Sequence, residues 1–160
     1  MIHARVITCS DGVHHHTRED RSGPAVRALL EANGYEVEMV VVVPDDVDAI
    51  ATAIENAVGA GARFVATTGG TGIAPRDVTP EATMRVAERV LPGFGEVMRA
   101  ASTTKMAALS RAMGATRGPA LIVNLPGSVN GATECLQAVL PLIPHAIELL
   151  AGERVERHPR

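Results

Sequence analysis

The chain has 160 residues, with 46% hydrophobic and 21% charged residues and a formal net charge of −3. That length suits one domain and that balance supplies a core, which excludes a mainly disordered chain. Fifteen Lys+Arg against eighteen Asp+Glu, with two Phe, one Tyr and no Trp, leave neither a basic excess for a nucleic-acid backbone nor an aromatic platform for stacked bases.

Residues 4–8 predict a short strand, ended by the turn Cys9-Ser10-Asp11-Gly12. A polar loop follows to Arg21 and includes His14-His15-His16. Ser22-Gly23-Pro24 predicts a helix start, because a proline in the first turn forfeits no intrahelical bond. Val26, Leu29 and Leu30 form its apolar face, and Asn33-Gly34 ends it. Residues 36–43 predict one strand, whose valine run at 40–43 is expected to be buried on both faces. Asp45 and Asp46 open a helix whose apolar residues Val47, Ile50, Ala51, Ile54, Ala57 and Val58 fall at helical spacing. Residues 64–67 predict a third strand running into Gly69-Gly70-Thr71-Gly72. Thr79-Pro80-Glu81 starts another helix, with Thr79 as its cap. A further helix is expected over 94–106, a fourth strand over 120–125, and a last helical region over 130–150, broken near Pro141 and Pro144.

Such alternation predicts one three-layer α/β/α domain over 1–160 with a mainly parallel sheet. Ligands in that architecture bind beyond the carboxyl ends of the strands. Those ends carry Ser10-Asp11, Pro44-Asp45, Thr67-Thr68-Gly69-Gly70 and Pro126-Gly127-Ser128, so the small and polar turns are expected on one edge. No long apolar stretch occurs: Arg5 interrupts the start and Pro44 closes the run at 39–43, against the ~20 residues a membrane helix needs. Neither a leader nor a membrane contact is expected. Cys9 and Cys135 form no CxxC and are expected to be reduced thiols in a cytoplasmic protein.

The Thr-Thr-Gly-Gly-Thr-Gly run at 67–72 could present several backbone N–H groups as an anion nest. It is neither a P-loop nor a full dinucleotide fingerprint, since Pro75 stands where the third glycine belongs. On pattern alone, phosphate binding and a structural glycine turn are both open. Asp45 and Asp77 flank the run. Each has a plain reading, as a helix cap and as a turn residue. Each also has a functional one: carboxylates beside a phosphate nest require a cation between them, and Mg²⁺ accepts one or two carboxylates plus phosphate oxygens. Adjacent histidines rarely converge on one ion, so His14–His16 is expected to be an exposed loop. His145 is expected to pack among apolar residues, and Ser110 lacks the setting of a hydrolase nucleophile.

Several segments together resemble one family. They are Cys9-Ser10-Asp11-Gly12, Asp20-Arg21-Ser22-Gly23, Pro44-Asp45-Asp46, the 67–72 run, Arg76-Asp77-Val78-Thr79-Pro80-Glu81-Ala82, Pro92-Gly93-Phe94-Gly95-Glu96, Leu109-Ser110-Arg111 and Asn124-Leu125-Pro126-Gly127-Ser128. The chain resembles, over about residues 3–151, the molybdopterin-binding proteins of molybdenum cofactor biosynthesis, most closely the adenylyltransferase type. The resemblance implies that molybdopterin and Mg-ATP give adenylylated molybdopterin and pyrophosphate. It implies catalytic roles for Asp45 and Asp77, with Mg²⁺ held directly or through water. It also implies a ligand site of Ser10, Asp11, Asp20, Ser22, Gly23, Thr68, Gly69, Gly70, Thr71, Gly72, Pro126, Gly127 and Ser128, with Ser102 at the pterin end. A homotrimer and handover to a molybdate-inserting protein are implied too. The alternative is a molybdopterin carrier without ATP turnover. One departure stands out: many members carry Arg where this chain has Gly12, which implies one contact fewer to an anionic ligand.

Overall fold

A computed structural model describes residues 1–152. The elements in chain order are β1 (Ile2–Cys9), α1 (Asp11–His14), α2 (Ser22–Ala32), β2 (Tyr35–Val37), β3 (Val41–Val43), α3 (Val47–Gly59), β4 (Phe64–Thr68), α4 (Thr79–Val86), β5 (Arg89–Leu91), α5 (Pro92–Ala101), β6 (Gly114–Arg117), β7 (Ala120–Leu125), α6 (Val129–Val139) and α7 (Ile143–Leu150). The sheet order is β2-β1-β4-β7-β6-β5, and β3 also pairs with β1. Pairings among β1, β2, β3, β4 and β7 are parallel; β5–β6 and β6–β7 are antiparallel.

Side-chain alternation along the strands builds the three layers. Phe64, Ala66, Leu121, Val123 and Leu125 face one core with Val26 and Leu30 of α2, Met98 of α5, Leu136 of α6 and Ile143 of α7. Ile7, Val65 and Ile122 face the other, with Ile50 and Ile54 of α3 and Ala82 and Val86 of α4. Phe64 is fully buried, and truncating such a ring to alanine costs about 3–5 kcal/mol.

Four sequence expectations need correction. The strand over 36–43 is two short strands: β2 pairs with Ile2–Ala4 and β3 with Ile7–Cys9. Between them Val40 packs against the α2 side, where its Cγ1 would lie 2.9 Å from a Cβ on Gly23. The valine run is not doubly buried either, because β3 lies off the main strand path and Val41 is 37% exposed. The helix over 94–106 spans Pro92–Ala101, and a separate 3-10 turn covers Lys105–Leu109. Thr79 is the first residue of α4 rather than its cap, which is Val78. Strands β5 and β6 were not anticipated. They are three and four residues long, too short for a clear period-2 pattern. A two-residue link, Gly118-Pro119, turns β6 back onto β7 with Gly118 at φ +51°.

Candidate functional site

Because β1, β3, β4 and β7 run in parallel, their carboxyl ends deliver their turns to the same edge of the sheet. There they border a cleft of about 530 Å³. The β4 and β7 ends are tied: Gly69 N–H donates to Leu125 O at 3.1 Å, and Thr68 Oγ1 donates to Pro126 O at 2.8 Å. A Cβ on Gly127 would sit 3.2 Å from Gly69 Cα, so the two turns approach at backbone range.

Gly69 and Gly70 have φ of +99° and +65°. A side chain would be strained at either position and would collide with Cys9 O or Thr79 Oγ1 respectively. Thr79 holds both carbonyls: its hydroxyl donates to Gly69 O at 2.8 Å and its N–H to Gly70 O at 3.1 Å. The turn is thus anchored through its C=O groups. The backbone N–H groups of residues 70–72 bond to no backbone acceptor among the described residues.

The two acids now differ from ordinary capping and turn residues by degree. Asp46, not Asp45, caps α3, accepting the Ala49 N–H at 2.9 Å. Asp45 instead exchanges hydrogen bonds with Asp11: its Oδ2 accepts from Asp11 N–H at 2.8 Å, and its own N–H donates to Asp11 Oδ1 at 3.0 Å. The second oxygen, Asp45 Oδ1, is buried and accepts nothing among the described residues. It would lie 3.3 Å from a Cβ on Gly70, so it faces the glycine turn directly. Burial raises the Asp45 pKa, and the nearby Asp11 and Asp77 carboxylates push the same way against the Asp11 hydrogen bond. Arg76 grips Asp11 with two bonds, at 2.7 and 3.0 Å, and holds that carboxyl below its usual range. Asp77 does carry a turn bond, accepting Ala74 N–H at 2.9 Å through Oδ2. The same oxygen would be 2.7 Å from a Cβ on Gly72.

Arg111 is a residue whose role the sequence did not reveal. Its N–H donates to Thr71 O at 2.7 Å, Nε to Gly72 O at 2.8 Å and a terminal nitrogen to Asp77 O at 2.7 Å; the other terminal nitrogen pairs with Glu81. It thereby clamps both ends of the segment that carries Asp77. No periodicity marks it, since its partners lie 30 to 40 residues away.

Of the expected site residues, Ser10, Asp20, Ser22, Asp45, Thr68, Gly69, Gly70, Thr71, Gly72, Asp77, Gly127 and Ser128 line the cleft. Ser10 and Ser128 hydroxyls also accept the N–H of Val13 and Gly131, capping α1 and α6. Asp20 accepts from Thr8 Oγ1 at 2.7 Å and from Gly23 N–H at 3.0 Å, fixing the start of α2. Asp11 and Gly23 support the wall without lining it. Ser102 and Pro126 belong to a neighbouring pocket of about 160 Å³ with Met98, Met106 and Cys135. Arg18, Glu19 and Arg21 line the cleft and were not anticipated.

The histidine tract is exposed, and its first member ends α1 instead of lying in a loop. No group of three or more His, Cys, Asp or Glu gathers to hold a metal among the described residues. Asp45 and Asp77 both line the cleft beside the glycine turn, and a divalent cation such as Mg²⁺ accepts one or two carboxylates together with phosphate oxygens. Cys9 lies beneath the glycine turn, but burial pushes its thiol up to about 12 despite a hydrogen bond with Thr79, so it is no nucleophile at neutral pH.

The sequence matches the family described as "Probable molybdopterin binding domain" over residues 5–145. A molybdopterin adenylyltransferase of Helicobacter pylori J99 is 40% identical over 161 residues, covering 97% of this chain and 91% of that protein. A protein of the same name from Escherichia coli K12 is 35% identical, covering 96% and 88%. The crystal structure of the molybdopterin biosynthesis enzyme MoaB from Thermus thermophilus superposes with a TM-score of 0.89 at 42% identity, covering 96% of this chain and 98% of that one. Domain match, identity and superposition agree along nearly the whole chain: it belongs to the molybdopterin-binding domain family of molybdenum cofactor biosynthesis.

Proposed function

We propose that the chain is a molybdopterin adenylyltransferase, converting molybdopterin and Mg-ATP into adenylylated molybdopterin and pyrophosphate. The observation that carries this reading is the buried, unpartnered Asp45 Oδ1 aimed at the Gly70 turn. An acid placed there costs stability and would repel a phosphate, unless a cation is bound with it. A protein that only carried the pterin would gain little from it.

The terminal phosphate oxygen of molybdopterin attacks the α-phosphorus of ATP, the bond from that phosphorus to the bridging oxygen breaks, and pyrophosphate leaves. Such a transfer asks mainly for alignment and neutralisation of charge. The N–H groups of residues 70–72 supply donors for phosphate oxygens, and the hydroxyls of Ser10, Thr71 and Ser128 border the same space. Asp45 and Asp77 are the acids that would hold Mg²⁺, directly or through water. When bound, that ion neutralises phosphate charge. Arg76 keeps Asp11 ionised and in place, and Asp11 in turn orients Asp45. Ser102 and its pocket flank the cleft beyond Pro126 and suit the pterin end.

The protein is further proposed to act as one domain, to assemble as a homotrimer, to work in the cytoplasm and to hand its product to a molybdate-inserting protein. Some relatives are longer: a molybdenum cofactor biosynthesis bifunctional protein of Synechococcus elongatus matches over 48% of its own length. Incubation with molybdopterin, ATP and Mg²⁺ tests the reaction. Pyrophosphate is expected only when the pterin is present. Pterin binding with no pyrophosphate at saturating ATP would leave the carrier reading standing.

A further inference from the structure

The cleft that is read as a phosphate site is walled by acids: Glu19, Asp20, Asp45 and Asp77 all line it. Only two lining residues are cationic, Arg18 and Arg21. Arg21 is already engaged, its Nε 3.3 Å from Glu19 Oε2. Arg76 reaches the same region but is spent on Asp11. Arg18 alone of these cations has a guanidinium that meets no hydrogen-bond or ion-pair partner among the described residues.

Its position is nevertheless built. The Gly12 carbonyl accepts three bonds, from Thr17 N–H at 2.9 Å, Arg18 N–H at 3.1 Å and Thr17 Oγ1 at 3.1 Å. His16, the sole described non-glycine residue with positive φ, turns the chain at +58° so that this closure is reached. A Cβ on Gly12 would sit 3.3 Å from Arg18 Cβ and 3.7 Å from its Cδ. The arginine stem therefore lies across the bare backbone of Gly12, and the open face of that glycine is the surface on which Arg18 packs. A side chain at position 12 would crowd the stem. The loop thus fixes the base of a long cation at the cleft wall and leaves its charged end unclaimed.

We infer that Arg18 is a ligand-binding residue of this cleft, donating to phosphate oxygens of an anionic substrate. The assignment rests on the phosphate reading of the cleft. A guanidinium matches phosphate oxygens in a planar fork, and a ligand that brings several negative charges past four acids needs such a partner. The phosphate could belong to the polyphosphate of ATP or to the monoester of the pterin, and binding experiments separate the two.

The test uses the whole protein and two probes with Mg²⁺, pyrophosphate and a simple phosphate monoester, titrated by calorimetry at low ionic strength. Arg18→Ala is expected to weaken one probe about tenfold or more and to raise the KM of the matching substrate similarly, with kcat changed by less than about threefold. Loss confined to pyrophosphate places Arg18 on the nucleotide; loss confined to the monoester places it on the pterin. Arg18→Lys should recover only part of the affinity, because an ammonium keeps the charge and loses the planar fork. Arg27→Ala is the charge-matched control, since Arg27 pairs with Glu31 on α2 and is outside the cleft. Unchanged affinity in Arg18→Ala overturns the inference. An equal loss in Arg27→Ala also overturns it, because net charge alone would then explain the effect. Wild type that binds neither probe overturns the phosphate reading of the cleft, and the Arg18 assignment falls with it.

Discussion

Asp45→Asn should make the apo protein more stable while disabling it. In the folded chain Asp45 Oδ1 is buried without a partner, and Asp11 and Asp77 repel the charge further. A buried unpaired polar group costs about 1–3 kcal/mol, more when charged. Asparagine retains an oxygen to accept the Asp11 N–H and removes the charge, although its amide leaves an N–H₂ without an evident acceptor. A net gain of roughly 1 kcal/mol follows, or about 2–4 °C in Tm for a chain of this size. The gain depends on pH. The folded pKa of Asp45 is raised, so between its unfolded and folded values the native state binds more protons than the unfolded one, and wild-type stability falls as pH rises through that window. The variant lacks this loss. Its Tm advantage should vanish below the ordinary Asp pKa of about 3.9 and reach its full size above the raised value. Thermal unfolding in chelator-treated buffer from acid to neutral pH measures this, and a pyrophosphate assay measures the companion loss of turnover, expected at about a hundredfold or more. A variant less stable than wild type at neutral pH that still turns over would refute the reasoning: Asp45 would be an ordinary structural acid.

Four further outcomes follow from the same geometry. Asp77→Asn should unfold like wild type but lose at least about tenfold in turnover, and unchanged turnover at saturating Mg²⁺ would return it to a turn residue. Gly70→Val puts a branched side chain at φ +65° against Thr79, and should abolish the ligand-induced rise in Tm while unfolding stays cooperative; a full rise would make the turn structural. Arg111→Lys cannot serve Gly72 O, Asp77 O and Glu81 together, so kcat should fall several-fold and the Mg²⁺ half-saturation should rise, whereas a change in Tm alone would leave Arg111 a fold residue. Sedimentation should show a trimer at micromolar concentration, and a stable monomer would count against the proposed assembly.

Local chemistry was enough to read much of this protein from its sequence. Strand, glycine turn and helix alternate with clear periods, so the layered fold and the edge that carries Ser10, Asp45, Gly70 and Ser128 were legible before any coordinates. Positions whose conformation is set by their own residue type were legible too: Gly69 and Gly70 sit at positive φ because only glycine does so freely. What was not legible depends on partners distant in sequence. On pattern alone Asp45 could be a helix cap or a functional acid; in the fold Asp46 takes the cap of α3, and the packing of Asp11 against Asp45 makes the latter a buried acid with an unpartnered oxygen. Thr79 has the composition of a cap, yet its hydroxyl is drawn to Gly69 O ten residues away. Local pattern did not tell the roles of Arg111, although it lies in a segment that carries the resemblance, or of Arg18, because they arise from a loop 30 to 40 residues away and from the bare backbone of Gly12. Strand β6 exists because β7 offers it an edge and β5 because β6 then offers one, and three or four residues hold too little pattern to announce that. Periodicity and backbone preference are properties of a segment, whereas hydrogen-bond partners and burial belong to the folded chain, and the chemistry of this cleft is made of the latter.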